Sequence, residues 1–301
     1  MRHIPVLLEE TIEALQLTSG MNVIDCTLGD GGHTEHILKA IAPDGRVLGI
    51  DADPESLMRA KQYLHAEENR VVLVRENFEL LGDIVEAENF SSVHGILMDL
   101  GWSSPQFAER KRGFSFLNLD EPLDMRYTPN GDTKTSAALL EEFSQEELEH
   151  IFRIYGEETL SKEIAKAIKE YEKHINNTSD LVNIVLGAYR TKLKTDKEVP
   201  WIGGLHPATE VFQALRIAVN DEFGVIERAL PQAIDLLESG GRLAVISFHS
   251  GEDRIVKHYF KSQSQKNKIQ IITKKPIVAS DAESESNPRA RSAKLRVVEK
   301  I

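Results

Sequence analysis

Apolar residues over the first hundred positions fall into short β-rich runs separated by stretches with helical spacing, the signature of a parallel sheet flanked by helices. Val23-Ile24-Asp25-Cys26 predicts the first strand, Arg46 to Asp51 the second, Val71 to Val74 the third and Gly95 to Asp99 the fourth. His33 to Ile41 predicts a crossover helix between the first two. Asp53 is placed to cap a further helix whose first position is Pro54, where a fixed φ suits the first turn, and Leu57, Met58 and Leu64 then share one face.

After the fourth strand the period changes. From 110 to 205 strand patterns vanish and helical ones take over, including Ser144 with Glu147 as a capping box ahead of Leu148, Ile151, Phe152 and Tyr155. This predicts an inserted helical domain, 110–205, dividing a first domain into 1–109 and 206–301. Lys192 to Gly204, with Pro200 and Gly203-Gly204, is expected as the linker back. Helical patterns follow over Pro207 to Val219 and Asp221 to Leu237, then a strand at Leu243 to Phe248 and a helix over Glu252 to Phe260. Two late strands, Ile269 to Thr273 and Leu295 to Val298, are joined through Ala279 to Asn287, a Ser/Glu-rich stretch expected to be a mobile loop. Two such strands suggest an antiparallel ending to an otherwise parallel, Rossmann-like sheet. By fold analogy, that ending belongs to a class I methyltransferase more than to a dehydrogenase.

With 301 residues, 41% of them hydrophobic, the chain can bury a core large enough for two domains. Neither an apolar leader nor a run long enough for a membrane span is visible, which predicts a cytoplasmic protein with no membrane partner. Cys26, the single cysteine, cannot form an internal disulfide and fits a reducing compartment. The net charge of −12 argues against a phosphate-rich partner until its distribution is considered. Residues 1 to 109 carry 7 basic against 19 acidic side chains, 110 to 205 carry 14 against 17, and 206 to 301 carry 15 against 12. The first third alone thus accounts for the excess. Basic clusters at Arg110-Lys111-Arg112 and from Arg289 to Arg296 leave a nucleic-acid partner open.

The first strand runs into Gly29-Asp30-Gly31-Gly32-His33 and then a helix. Glycine permits a sharp turn and close approach of a ligand, and the following helix start offers unpaired N–H groups, so the loop suits a carboxylate or phosphate. Glycines at 29, 31 and 32 do not match the Gly-x-Gly-x-x-Gly dinucleotide fingerprint, which makes NAD the weaker reading. Asp51, at the end of the second strand, is placed to accept ribose hydroxyls, a need shared by NAD and S-adenosylmethionine. Phe78 is placed to stack on adenine or to pack in the core.

Asp99 ends the fourth strand and opens the loop Leu100-Gly101-Trp102-Ser103-Ser104-Pro105-Gln106. A carboxylate, two hydroxyls, an amide and an aromatic ring in one turn suit a planar polar substrate, and Asp99, Ser103 and Ser104 are the candidate catalytic residues. An exocyclic amine is a poor nucleophile because its lone pair is delocalised, and acceptors for its N–H bonds help localise it. Trp102 then either stacks on the base or packs between sheet and insertion. His3, His206 and His249 lack metal-ligand spacing, so no metal is expected, and Ser247-Phe248-His249-Ser250 lacks a nucleophile elbow.

These residues resemble the bacterial RsmH (formerly MraW) family of 16S ribosomal RNA cytosine-N4 methyltransferases. The matches run from His3-Ile4-Pro5-Val6-Leu7-Leu8 through the glycine loop, Gly49 to Pro54, Asp99 to Gln106 and Arg112 to Phe116. They continue through Leu123 to Arg126, Ile154 to Glu158, His206 to Thr209, Phe212 to Ile217 and Ser247 to Ser250, and end at Asn287 to Lys294. The resemblance implies S-adenosylmethionine as cofactor, bound by Gly31, Gly32, His33, Asp51, Phe78, Asp99 and Gln106. It implies as substrate the N4 amine of a decoding-centre cytidine in 16S rRNA of the small ribosomal subunit, and makes the insertion a candidate substrate-recognition domain. Glu210 departs from the basic residue usual in the family, Gly251 from a common leucine and Trp102 from a smaller residue. An N-methyltransferase of another RNA or of protein, a non-catalytic S-adenosylmethionine-binding assembly factor, and a homodimer all remain open.

Overall fold

The computed structural model describes residues 4–101, 111–128, 133–202 and 204–301. The chain forms two compact units, one built from the segment up to Gly101 together with Phe223–Ile301, the other from Trp102–Glu222.

The first unit holds one seven-stranded sheet in the order β3-β2-β1-β4-β5-β7-β6. Its strands are β1 Asn22–Asp25, β2 Val47–Ile50, β3 Val71–Val74, β4 Val93–Asp99, β5 Leu237–Ser247, β6 Ile269–Ile271 and β7 Lys294–Lys300. The first five run parallel, with Ile24 opposite both Leu48 and Ile96 and Asp99 opposite Ile246. Helices cover both faces of such a sheet, so its central strands are near-continuous apolar runs: every residue of β2 is buried, as is all of β1 after Asn22. One core layer gathers Ile24, Ile50, Ile96 and Met98 with Leu230 and Ile234, and the other gathers Val23, Val47, Leu97 and Ile246 with Ile37 and Leu38. β7 is antiparallel to both β5 and β6, pairing Leu243 with Val298 and Val298 with Ile271.

Asp53 caps helix Pro54–Tyr63 by accepting from the N–H groups of Glu55 and Ser56, as its position ahead of Pro54 predicts. Residues 279–287 differ from expectation. Instead of a mobile loop they contain helix Asp281–Ser286, whose Ser280 accepts from the Glu283 N–H and whose acidic residues fall in the favourable first turn. Composition there suggests disorder, but the polar side chains have specific partners: Glu283 Oε1 accepts from the Leu7 N–H at 2.8 Å and Asn287 Nδ2 donates to the Ile4 carbonyl at 3.3 Å.

The second unit is helical, with Ser136–Glu142, Gln145–Ile154, Ser161–Lys169, Thr178–Leu193 and Thr209–Asn220 enclosing Leu148, Phe152, Ile164, Val185, Phe212 and Leu215. Ser144 with Glu147 and Asn177 with Asp180 form capping boxes at two of the helix starts. This unit extends beyond the expected 110–205, because helix Thr209–Asn220 buries Val211, Phe212, Ala214 and Leu215 in its core. The break comes at Asp221, in the left-handed conformation at φ 47°. An apolar stripe shows that a helix buries a face but not against which domain.

Candidate active site

The carboxyl ends of the parallel strands carry the predicted residues, as the crossover rules for open α/β sheets require. Gly29 and Gly31 take left-handed conformations at φ 53° and 78°, and Gly31 is the N-cap of helix Gly32–Ala40. The Gly29 N–H donates to Asp51 Oδ2 at 2.8 Å, while the Asp53 N–H donates to Oδ1 at the same distance, so one carboxylate at the end of β2 fixes both the glycine turn and the entry to the next helix. Burial pushes the Asp51 carboxyl up to about 7 against the pull of those two N–H donors.

Each glycine has its own reason. At Gly31 the backbone angle decides, and a Cβ would meet the Leu64 Cδ1 at 3.0 Å. At Gly32 it is packing, since a Cβ would lie 2.6 Å from Pro5 Cγ. His33 is buried, with Nε2 3.1 Å from the Val6 carbonyl and Nδ1 3.7 Å from Asp99 Oδ2. A carbonyl only accepts, so Nε2 carries the hydrogen of that bond.

Asp99 is held by its backbone, whose N–H donates to Thr27 Oγ1 at 2.6 Å. Its Oδ1 is buried and has no hydrogen-bond partner among the described residues. Burial pushes its carboxyl up to about 8; the nearby Arg289 guanidinium opposes that shift, and Asp25 and Glu252 add to it. Beneath lies Asp25, whose Oδ2 accepts from the Thr34 hydroxyl at 2.7 Å and whose Oδ1 accepts from the Thr27 N–H at 3.2 Å. Burial lifts Asp25 to about 6 in spite of both bonds. Asp25 and Thr27 carry no site signal of their own in the sequence, and Arg289 stands there only as part of a basic cluster. A hydroxyl two residues past a strand is a weak signal, and Arg289 enters from a segment 190 positions away in sequence.

Phe78 begins the short 3₁₀ turn Phe78–Leu80 after β3 and is half-buried against the core that contains Leu81 and Ile84, so packing accounts for at least part of its ring. Trp102, Ser103, Ser104, Gln106 and His3 lie outside the described residues. His249 caps helix Ser250–Gln265, Nδ1 accepting from the Glu252 N–H at 3.5 Å and Nε2 lying 3.2 Å from Glu252 Oε1. His206 lies in the helical unit, stacked on Phe116 at 4.6 Å between centroids, with Nδ1 accepting from the Ala208 N–H. Gly251 makes room for a ring, since a Cβ there would lie 2.5 Å from Phe223 Cζ.

A tight glycine turn at a helix start, a carboxylate ending β2 and a buried carboxylate oxygen without a partner ending β4 together suit a ligand with an anionic group, a ribose and a reactive polar end. These features fit S-adenosylmethionine. The antiparallel β7 inserted between β5 and β6 separates the sheet from dinucleotide-binding dehydrogenases and defines a class I methyltransferase, the α/β enzyme class that takes its methyl group from that cofactor. The chain belongs to the MraW methylase family, whose profile matches residues 1–301. Among its curated relatives, ribosomal RNA small subunit methyltransferase H of Heliobacterium mobile is 44% identical, over 99% of both chains. The protein of that name from Symbiobacterium thermophilum is 43% identical over 99% of this chain and 96% of its own. Among the described residues, no helix is long and apolar enough to cross a membrane.

Proposed function

We propose that this protein transfers a methyl group from S-adenosylmethionine to the N4 amine of a decoding-centre cytidine in small-subunit ribosomal RNA, with the helical unit as its substrate-recognition domain. The observation that carries this reading is Asp99, a buried carboxylate at the end of β4 whose backbone is tied down and whose Oδ1 has no partner among the described residues. The relatives' name supports the RNA class, and the helical unit's near balance of charge over 110 to 205 contrasts with the acidic first third.

The bound cofactor supplies an electrophilic methyl group. Main-chain groups of Gly31, Gly32 and His33 at the start of helix Gly32–Ala40 would receive its carboxylate, Asp51 would accept from the ribose hydroxyls, Phe78 would offer a ring face to the adenine, and Gln106 would add an amide. Asp99 accepts an N–H of the cytosine amine, which draws the nitrogen lone pair out of the ring and toward the carbon to be bonded. As the C–N bond forms the methyl carbon would part from the sulfonium sulfur, which keeps the bonding pair and leaves as a neutral thioether, and the nitrogen would lose one proton to Asp99. Ser103 and Ser104 hold the base. A base in a ribosomal RNA loop is exposed at less cost than one in a duplex.

Labelled S-adenosylmethionine, incubated with the protein and small ribosomal subunits from a strain lacking this methylation, tests the proposal. Label at N4 of one cytidine is expected. Incorporation only into protein, into another RNA, or nowhere would overturn it.

A further inference from the structure

The carboxyl end of β4 receives a side chain from the far end of the sequence. Turn Pro288–Ser292 carries Arg289, whose guanidinium carbon lies 5.9 Å from the centroid of the Phe248 ring. Phe248 packs over Gly101, where a Cβ would lie 3.3 Å from Phe248 Cδ2. Asp99 pairs with Ile246 across β4 and β5, so Gly101 and Phe248 continue those two strands side by side by two residues each. Arg289 therefore stands at the same strand ends as Asp99, and the two charges attract.

Among the described residues, four ionisable groups face Asp99: His33 from helix Gly32–Ala40, Asp25 from β1, Glu252 from helix Ser250–Gln265, and Arg289. Asp25 and Glu252 oppose a second negative charge. His33 turns Nε2–H to the Val6 carbonyl and places Nδ1 3.7 Å from Asp99 Oδ2. Arg289 is the permanent cation of the set.

We infer that Arg289 is a positioning residue for methyl transfer, favouring the anionic, proton-accepting form of the Asp99 carboxyl from the same strand ends, and that the C-terminal segment serves in part to deliver it. This rests on the role proposed for Asp99. As the amine nitrogen gains its bond to the methyl carbon, the carbon–sulfur bond would break with its electron pair left on sulfur, the N–H bond would break, and the proton would pass to Asp99, which only the anion can receive. Burial lifts Asp99 to about 8 even with Arg289 in place, so the anion is already the minor form at neutral pH and loss of that cation depletes it further. Phe248 supplies the platform that fixes the guanidinium. The anchoring of the preceding helix on Leu7 and Ile4 fixes the segment that carries Arg289.

The test is the pH dependence of kcat/KM for transfer to small ribosomal subunits, with calorimetric cofactor affinity alongside. In Arg289→Gln the rising acid limb is expected to move about one pH unit or more upward, with transfer down roughly tenfold at pH 7 and recovering as pH rises. Arg289→Lys keeps the limb near its original position. Phe248→Leu moves it upward by less, and supplies the test if Arg289→Gln does not fold. A loss by the same factor at every pH, whether from an RNA phosphate contact or a packing defect, would overturn the inference. Asp99→Asn separates the two levels. Normal transfer by that variant sinks the reading of Asp99 itself, whereas an inactive Asp99→Asn beside an unmoved limb in Arg289→Gln and Phe248→Leu sinks only the role of Arg289.

Discussion

The N–H of Asp99 donates to the hydroxyl of Thr27 at 2.6 Å, tying the carboxyl ends of β4 and β1 together at the point where the chemistry is placed. Thr27→Val preserves the shape of the side chain but leaves that N–H without its acceptor, a loss of about 1–3 kcal/mol when the group is buried. The carboxylate then shifts from its line toward the amine. Methyl transfer is expected to fall roughly 10- to 100-fold with cofactor affinity little changed, because misalignment acts on the reacting geometry. Thr27→Ser should retain most activity. Equal losses in both variants would show that the hydroxyl does not set the position of Asp99.

Gly31 and Gly32 are adjacent, yet their substitutions should fail differently. Gly31→Ala forces an L side chain to φ 78°, at a cost of about 1 kcal/mol or more, and distorts the turn proposed to receive the cofactor's carboxylate. Cofactor affinity measured by calorimetry should drop. Gly32→Ala instead drives a Cβ to 2.6 Å from Pro5 Cγ, so the N-terminal segment is displaced and thermal stability falls. Pro5→Ala removes the obstructing Cγ and should restore the stability of Gly32→Ala while doing nothing for Gly31→Ala. Failure of that rescue would place the requirement at Gly32 elsewhere.

The strands were legible because buried parallel strands leave continuous apolar runs, and Val71 to Val74 matches β3 residue for residue. Asp51 and Asp99 were legible because a carboxylate at the end of such a run has few structural uses. Two kinds of information were not local. The packing partner of helix Thr209–Asn220 depends on tertiary contacts, so its stripe could not assign it to the helical unit. Ser280 to Asn287 has the composition of a disordered linker, and only the approach of Leu7 and Ile4 gives Glu283 and Asn287 their partners. The glycine loop was read correctly as a place where glycine is required, but the reason at Gly32 is Pro5, 27 residues earlier in the chain.

Asp25 stores strain beneath the site. Burial raises its carboxyl to about 6 from an ordinary value near 4, so the folded state binds a proton more tightly than the unfolded chain between those values. Its contribution to stability is full below pH 4 and is lost as pH rises through 6. Asp25→Asn removes that dependence, still offers an oxygen to the Thr27 N–H, and should raise stability at pH 8 by about 1–3 kcal/mol. Denaturant unfolding of both proteins at pH 5 and pH 8 measures it. A variant less stable than the parent at pH 8 would mean that the lost hydrogen bond from the Thr34 hydroxyl outweighs the relief of burial.

Glu210 poses the same problem in the helical unit, beside Glu158. Glu158 is 2% exposed; its Oε1 accepts from the Leu160 N–H at 2.7 Å and the Tyr189 hydroxyl at 2.8 Å, while Oε2 is buried without a partner among the described residues. Glu210 is lifted to about 7 by burial and by the charges of Glu158 and Glu157. A raised carboxyl favours the folded state fully below about pH 4 and progressively less as pH climbs through 7, so the wild type should lose stability over that window. Glu210→Lys places a cation where two carboxylates now repel. Because position 210 is only half-buried the gain is screened by solvent, and about 1 kcal/mol, or a few degrees in Tm, is expected at pH 8. The decline between pH 5 and pH 8 should also flatten. Thermal unfolding across that range decides it: a lower Tm for Glu210→Lys at pH 8 would mean that Glu158 does not require a cation there.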